Sequence, residues 1–192
     1  SRLFTKVLVV LAVLFGFATL VMAAFSAWLL DRELSQEYQS KGTAIANSIA
    51  GSSIEILLFR DESTIQALID QSLEIEGVNY VFVVNAQGEV ISHTFVPRIP
   101  AEVRGLGGDR HETTVRRLRI AGRGEIIDVA SPILAGEVGF VHVGMDRELI
   151  RASIRSATLQ EIALMGILFL MSILAAYLLV RRFAQPLGRL TD

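Results

Sequence analysis

The residue best placed to do chemistry is His93, in the stretch Val78 to Phe95, VNYVFVVNAQGEVISHTF. From Val78 to Val84 the run is β-branched and aromatic, Asn85-Ala86-Gln87-Gly88 has turn chemistry, and Glu89 to Phe95 alternates apolar and polar residues, which predicts a β-hairpin. With a side-chain period of two, Glu89, Ile91, His93 and Phe95 share one face and Val90, Ser92 and Thr94 the other. A titratable donor flanked by apolar neighbours on a sheet face is where a ligand is expected. The other histidines, His111 and His142, lie in different elements. Asp128, Glu112 or Asp109 could complete an oxygen and nitrogen set with the three histidines, but their spacing matches no metal motif. His142 alternates with Phe140 and Gly144 and reads as a packed strand histidine with one hydrogen bond.

Other chemistries are disfavoured by composition and motif. The chain has no cysteine, hence no disulfide, no thiolate metal site and no haem attached through cysteine. It shows no GxSxG elbow and no HExxH pair, and GLGGD at Gly105 to Asp109 follows a proline-broken loop and opens no helix. The segment is expected to be non-enzymatic and to need no cofactor.

The elements that must position His93 follow from pattern. Residues 31–59 continue a helical pattern, with Leu34, Tyr38, Ile45, Ile49, Ser52, Ile56 and Phe59 as a narrow apolar stripe. Gly42, Ala46, Ala50 and Gly51 permit close approach, either to the domain's own sheet or to a second copy, and both uses are expected along different portions. Asp61 and Glu62 open a second helix whose buried face is Ile65, Leu68, Ile69 and Leu73, ended by Gly77. Beyond the hairpin, VPRIPAEVRGLGGDRH contains Pro97, Pro100, Gly105, Gly107 and Gly108 and reads as a loop acting as a lid. Three further strands are expected in Thr113 to Ile120, Glu125 to Leu134 and Glu137 to Met145, giving five in consecutive antiparallel order. Asp146 then starts a helix.

Two uncharged runs bracket this middle, Val7 to Leu30 and Ile162 to Val180, each long enough to span a bilayer as a helix. A cleaved leader is disfavoured for the first, whose apolar core is too long. The expected division is residues 1–6 as cytoplasmic N-terminus, 7–30 as transmembrane helix 1, 31–160 as the extracytoplasmic domain, 161–180 as transmembrane helix 2 and 181–192 as a cytoplasmic linker. Arg2 and Lys6 before the first span and Arg181, Arg182 and Arg189 after the second place both termini in the cytoplasm by the positive-inside rule. Membrane lipids are therefore partners. From Asp31 to Gln160, eighteen acidic residues oppose thirteen Lys and Arg, a balance that disfavours nucleic acid.

This order of parts resembles an extracytoplasmic single Cache, PAS-like sensor domain with flanking transmembrane helices, and RRFAQPLGRLTD, with Arg181, Arg182 and Pro186, resembles the opening of a HAMP linker. The fold so implied is an α+β membrane protein: two transmembrane helices flanking a PAS/Cache-like domain with a long N-terminal helix and a five-stranded antiparallel sheet. The resemblance implies the sensory and transmembrane part of a longer bacterial receptor in the inner membrane, most often a sensor histidine kinase signalling to a response regulator. A chemoreceptor, a nucleotide-cyclase sensor and a ligand-free dimerisation domain are the alternatives.

In carboxylate-sensing members of the family, a histidine after the hairpin turn and arginines from neighbouring strands hold the ligand, and His93 matches that histidine by position. The family's histidine is commonly followed by proline, whereas Thr94 and Phe95 follow here. Guanidinium pairs bidentately with carboxylate and imidazolium adds a charge-assisted donor. The expected contacts are His93, Tyr80 and Phe95 of the hairpin, Arg98 of the lid, and Arg117 or Arg119, which share a sheet face by spacing. A homodimer paired through the long helix and the spans is expected, with signals leaving the domain through its last strand and second span.

Overall fold

The computed structural model describes residues 2–58 and 62–184. Helix α1 (Arg2–Leu58) is followed by α2 (Glu62–Ser72), strands β1 (Val78–Asn85) and β2 (Val90–His93), a 3-10 turn at Ala101–Val103, strands β3 (Thr114–Ile120), β4 (Gly124–Ile133) and β5 (Gly139–Asp146), and helix α3 (Arg147–Ala184). By contacts the chain divides into two compact units, residues 1–30 with 153–192, and residues 31–152.

In the first unit the uncharged sequence gives helix with large apolar side chains turned outward, among them Leu14, Phe17, Leu20, Leu164, Leu170 and Leu174. Phe15 stacks on Phe169 with ring centroids 4.7 Å apart, and Ser26 Oγ donates to Glu161 Oε1 at 3.4 Å. Helices α1 and α3 each contain a stretch long and apolar enough to cross a membrane. Arg181 and Arg182 fall in the last turn of α3; Pro186 and the rest of the HAMP-like segment lie outside the described residues.

In the second unit all five expected strands form one antiparallel sheet, but in the order β2-β1-β5-β4-β3 rather than consecutively. Burial explains the difference. Strand β5 is buried at every residue from Gly139 to Met145, which requires neighbours on both edges and sheet faces covered on both sides. β2 is four residues long and β3 carries three arginines, both suited to edges. The central strand is thus the last one, and it passes into α3 with no intervening residue.

One face of the sheet packs on α1 and α2. The α1 residues buried here are Ser35, Gly42, Ala46, Ile49, Ala50 and Ser53: the small residues expected to permit close approach and Ile49 of the apolar stripe, whose members Leu34, Tyr38, Ile45 and Ile56 are half-buried. A Cβ at Gly42 would lie 3.0 Å from Met145 Cγ and Val129 Cγ2, so glycine lets the helix backbone settle on β5 and β4. Ser52 is exposed, and Phe59 is outside the described residues. Helix α2 buries Ile65 and Ile69 as its period predicts, while Leu73 lies past its end and is exposed. Ser92 Oγ donates to Gln66 Oε1, fixing β2 to α2.

At the β5–α3 junction, Asp146 Oδ1 accepts the backbone N–H of Glu148 at 2.8 Å, the capping expected of an aspartate opening a helix. Arg147 donates to Glu125 at 2.9 Å and to Asp31 at 3.0 Å, while Arg119 and Arg151 reach Glu125 at 2.8 and 2.7 Å. Hydrogen bonds from Arg119 and then Arg151 hold the Glu125 carboxyl down at about 2, against an ordinary 4.5. A carboxyl lowered in the folded state stabilises it above the unfolded value and loses that contribution as pH falls. The stability gap between wild type and Glu125→Gln, measured by urea unfolding, is therefore expected to stay constant above about pH 4.5 and to shrink as pH falls towards 2.

Candidate ligand site

The other sheet face lies under the lid. Tyr80, Phe82 and Val84 of β1, Ile120 of β3, Ile126 of β4 and Phe140 of β5 form one buried cluster with Phe95, just past β2, and Val103 of the lid segment, and Ile99 and Leu106 pack against it. The rings of Tyr80, Phe82 and Phe95 meet at centroid distances of 4.9 to 5.7 Å. Fully burying a valine is worth about 1.5–3 kcal/mol, so Val103 with its two half-buried neighbours contributes a few kcal/mol to holding this segment on the sheet.

A polar cluster sits within this apolar face. Tyr80 Oη donates to Asp128 Oδ1 at 2.8 Å, and His142 Nδ1 lies 3.0 Å from Asp128 Oδ2. Asp128 and His142 have no exposed surface. Because a carboxylate only accepts, the proton between them belongs to His142 Nδ1, and Nε2 is left for another partner. Burial first, and the adjacent carboxylate second, push the Tyr80 hydroxyl far up, so it stays a neutral donor. Tyr80 reaches Asp128 by lying across Gly144 of β5, its register partner; a Cβ there would overlap the ring. Phe82 stacks on His142 at 4.4 Å and 6°.

The register brings three unsatisfied groups into line. His93 pairs with Phe82, Phe82 with His142, His142 with Ala130 and Ala130 with Thr114, one row crossing all five strands. His93 Nδ1, His142 Nε2 and Thr114 Oγ1 are each buried without a hydrogen-bond partner. Most buried polar atoms in folded proteins are satisfied, and leaving one unpaired costs about 1–3 kcal/mol. All three lie in one row on the lid side of the sheet.

His93, Tyr80 and Phe95 all reach this face, with the His93 and Phe95 rings 6.1 Å apart. A bulge opposite Val83 and Val84 brings Val90 onto the same side, interrupting the simple alternation of the hairpin. Arg98 is exposed in the lid. The β3 register turns Arg117, opposite Ile127, and Arg119, opposite Glu125, to the helix-covered side, and Arg119 pairs with Glu125. The arginine that shares the lid face is Arg116, opposite Asp128. Arg123 also approaches, 5.5 Å from the Phe95 centroid and bonded to the Asn79 carbonyl and side chain. Asp128 was visible in sequence as a lone charge in the apolar run IIDVA, but its partners depend on the strand order. His111 is exposed, its N–H donating to Asp109.

A family model described as single Cache domain 3 matches residues 29–158. Among solved structures, the chain is similar to the ligand-binding domain of the Pseudomonas fluorescens chemoreceptor CtaA in complex with L-isoleucine, at 17% identity and a TM-score of 0.40. That match covers 77% of this chain and 62% of that one, so the chain spans less than two thirds of that structure's length. No curated protein matches.

Two substitutions test the polar cluster. Tyr80→Phe leaves Asp128 Oδ1 without its donor and is expected to cost about 1–3 kcal/mol in chemical unfolding. Gly144→Ala displaces the Tyr80 ring and is expected to cost a similar amount by overpacking, about 1–3 kcal/mol. In a Tyr80→Phe, Gly144→Ala double variant the overpacking persists, because the ring carbons remain, and the loss is expected to fall short of additivity only by the hydrogen bond to Asp128 that both changes disturb.

Proposed function

Since the chain belongs to the single Cache domain 3 family, whose members are non-catalytic sensor domains, we propose that it binds a small ligand, of carboxylate type, beneath the lid and passes a conformational change into α3. The observation that carries this reading is the row of unpartnered buried groups, His93 Nδ1, His142 Nε2 and Thr114 Oγ1, on the lid side of the sheet. Tyr80, Phe82 and Phe95 supply an apolar surround, and Arg98 in the lid is available to an incoming anion. Arg117 and Arg119 fall outside this pocket.

The output follows from the connectivity. Strand β5 carries His142 and runs straight into α3, so a ligand that shifts β5 moves the helix that leads to the second span. To matter, the ligand has to bind two states unequally, and a few kcal/mol of difference inverts their populations. The domain lies outside the bacterial inner membrane, both chain ends lie in the cytoplasm, and the chain works as a homodimer whose cytoplasmic output is a histidine kinase acting on a response regulator. The basic residues flanking the spans and the HAMP-like Arg181, Arg182 and Pro186 favour this arrangement.

The test is a thermal-shift screen of the full chain in lipid nanodiscs against small carboxylates, amino acids and amines, repeated with His93→Ala and Ala130→Leu at two positions of the row. A ligand at a hundredfold excess over its Kd stabilises the folded state by about 2.7 kcal/mol. A shift lost in either variant places the ligand in the row; a full shift in both rejects the row as the site. No shift from any compound on a cooperatively melting chain rejects direct sensing. As the chain has no cysteine, pairs can be introduced into the two spans without background, and their cross-linking rate is expected to change with the ligand that gives the shift.

A further inference from the structure

Between β3 and β4 lies a short turn, Ala121-Gly122-Arg123, that is bonded to elements on both faces of the sheet. It closes tightly: the Arg123 N–H donates to the Ile120 carbonyl at 3.0 Å, and Gly122 and Gly124 take positive φ. On the lid side the Ala121 N–H donates to Glu102 Oε1 at 3.2 Å, and Glu102 belongs to the 3-10 turn that carries the buried Val103. The Arg123 guanidinium lies 5.5 Å from the Phe95 centroid and donates to the carbonyl and side-chain oxygens of Asn79 at 3.1 and 2.9 Å. The turn is thus tied to the lid and to the hairpin.

On the helix-covered side the next two residues meet the first turn of α3. A Cβ at Gly124 would come within 2.9 Å of Glu148 Cγ, so the start of β4 lies directly against that side chain. Glu125 accepts from Arg147 at 2.9 Å and from Arg151 at 2.7 Å, and Arg147 continues to Asp31 of α1 at 3.0 Å. From Glu102 to Arg151 the contacts run through five consecutive residues, 121–125. None of them belongs to β5.

Resting on the reading that displacement on the lid side is passed into α3, we propose that the β3–β4 turn is a second output route, a bridge that couples the seating of the lid to the first turn of α3 in parallel with β5.

The two routes differ in how readily they yield. Strand β5 is paired along both edges, to β1 and β4, and is buried from Gly139 to Met145, so it moves only with its neighbours. β3 is an edge strand held by β4 alone, and elements with fewer partners open at lower cost. The bridge contacts are charge-assisted, hence directional. Hydrogen bonds from its own backbone N–H and then from Ala121 hold the Glu102 carboxyl below its ordinary range. When Val103 leaves the cluster, Glu102 beside it leaves Ala121. The turn then loses a tether on the lid side while Glu125 keeps its grip on Arg147 and Arg151.

Amide hydrogen exchange on the full chain in lipid nanodiscs tests the bridge without any ligand. Two variants loosen the lid at different points: Val103→Ala removes methyls from the buried cluster, and Gly108→Ala sets a Cβ 2.5 Å from Phe140 Cδ1. Each is expected to raise exchange about threefold or more across residues 96–110 and also across 147–152. With Glu102→Ala and Arg123→Ala added, the lid variants are expected to raise exchange in the lid alone. A merely structural Arg123 would loosen the turn and leave the response of 147–152 to the lid variants unchanged. Glu102→Ala by itself cuts an exposed contact outside the core and is expected to remove part of that response, so the result does not hang on the multiple variants folding. An undiminished response of 147–152 in both severed backgrounds overturns the bridge and leaves β5 as the route. No response of 147–152 to either lid variant overturns the bridge together with the passage of lid displacement into α3. Ligand binding beneath the lid is read separately, by the thermal-shift screen, and stands or falls there.

Discussion

Much of the domain's sensor face depends on one constraint, the need of the buried Asp128 carboxylate for donors. A charge taken out of water costs several kcal/mol unless it is paired and hydrogen-bonded, and the sheet meets that need with Tyr80 on one oxygen and His142 on the other. Those partners come from β1 and β5, so the carboxylate on β4 ties the three central strands together through side chains as well as through the backbone ladder. It also dictates residue size nearby: β5 needs glycine at position 144 because the Tyr80 ring lies across it to reach Asp128. Fixing one nitrogen of His142 leaves the other available, and the polar potential of an otherwise aromatic face follows from that.

The opposite sheet face obeys a different rule. There the small residues of α1 let a helix backbone approach β4 and β5 closely, and Asn47 accepts hydrogen bonds from Ser131 at 2.6 Å and Thr113 at 3.2 Å. Dense contact of this kind transmits displacement because packed interiors yield little. Polar anchors add to it at the sheet's end: Lys41 donates to the Glu76 carbonyl at 2.7 Å and the Asp146 N–H to the Gly77 carbonyl at 2.8 Å. The strand that holds His142 is thereby gripped by α1 on one face and covered by the lid cluster on the other.

Much of this was legible in the sequence because it depends on local pattern. The hairpin at Val78 to His93, the lid, the three later strands and the helical character of residues 31–58 follow from periodicity and turn residues. What was not legible depends on pairing. The strand order places β5 between β1 and β4, and only that order makes Asp128 a neighbour of His142 and Tyr80. The faces of β3 likewise follow from register: Arg117 and Arg119 share a face as their spacing requires, but which face is settled by their opposites, Ile127 and Glu125. In α1 the small residues Gly42, Ala46 and Ala50 were legible as points of close approach and are buried, whereas Leu34, Tyr38, Ile45 and Ile56 of the apolar stripe are only half-buried, because a helix lying on a sheet buries most fully the residues that let it come closest. His93 reached the expected face even though a bulge disturbed the alternation beside it.

The junction between β5 and α3 has one more consequence. Asp146 ends the strand and Arg147 begins the helix, so no linker can absorb a change in length. Each residue of an α-helix advances the chain by about 1.5 Å and turns it by roughly 100°. A single insertion or deletion after Asp146 would therefore leave the strand ladder intact and rotate the azimuth of every later α3 residue by more than a quarter turn. The angular phase of the helix is set by the hydrogen-bond register of the strand, much as a key's bit is set by its shaft. Among relatives that share this splice, sequence length between the β5 histidine and the span should be conserved more strictly than the residues that fill it.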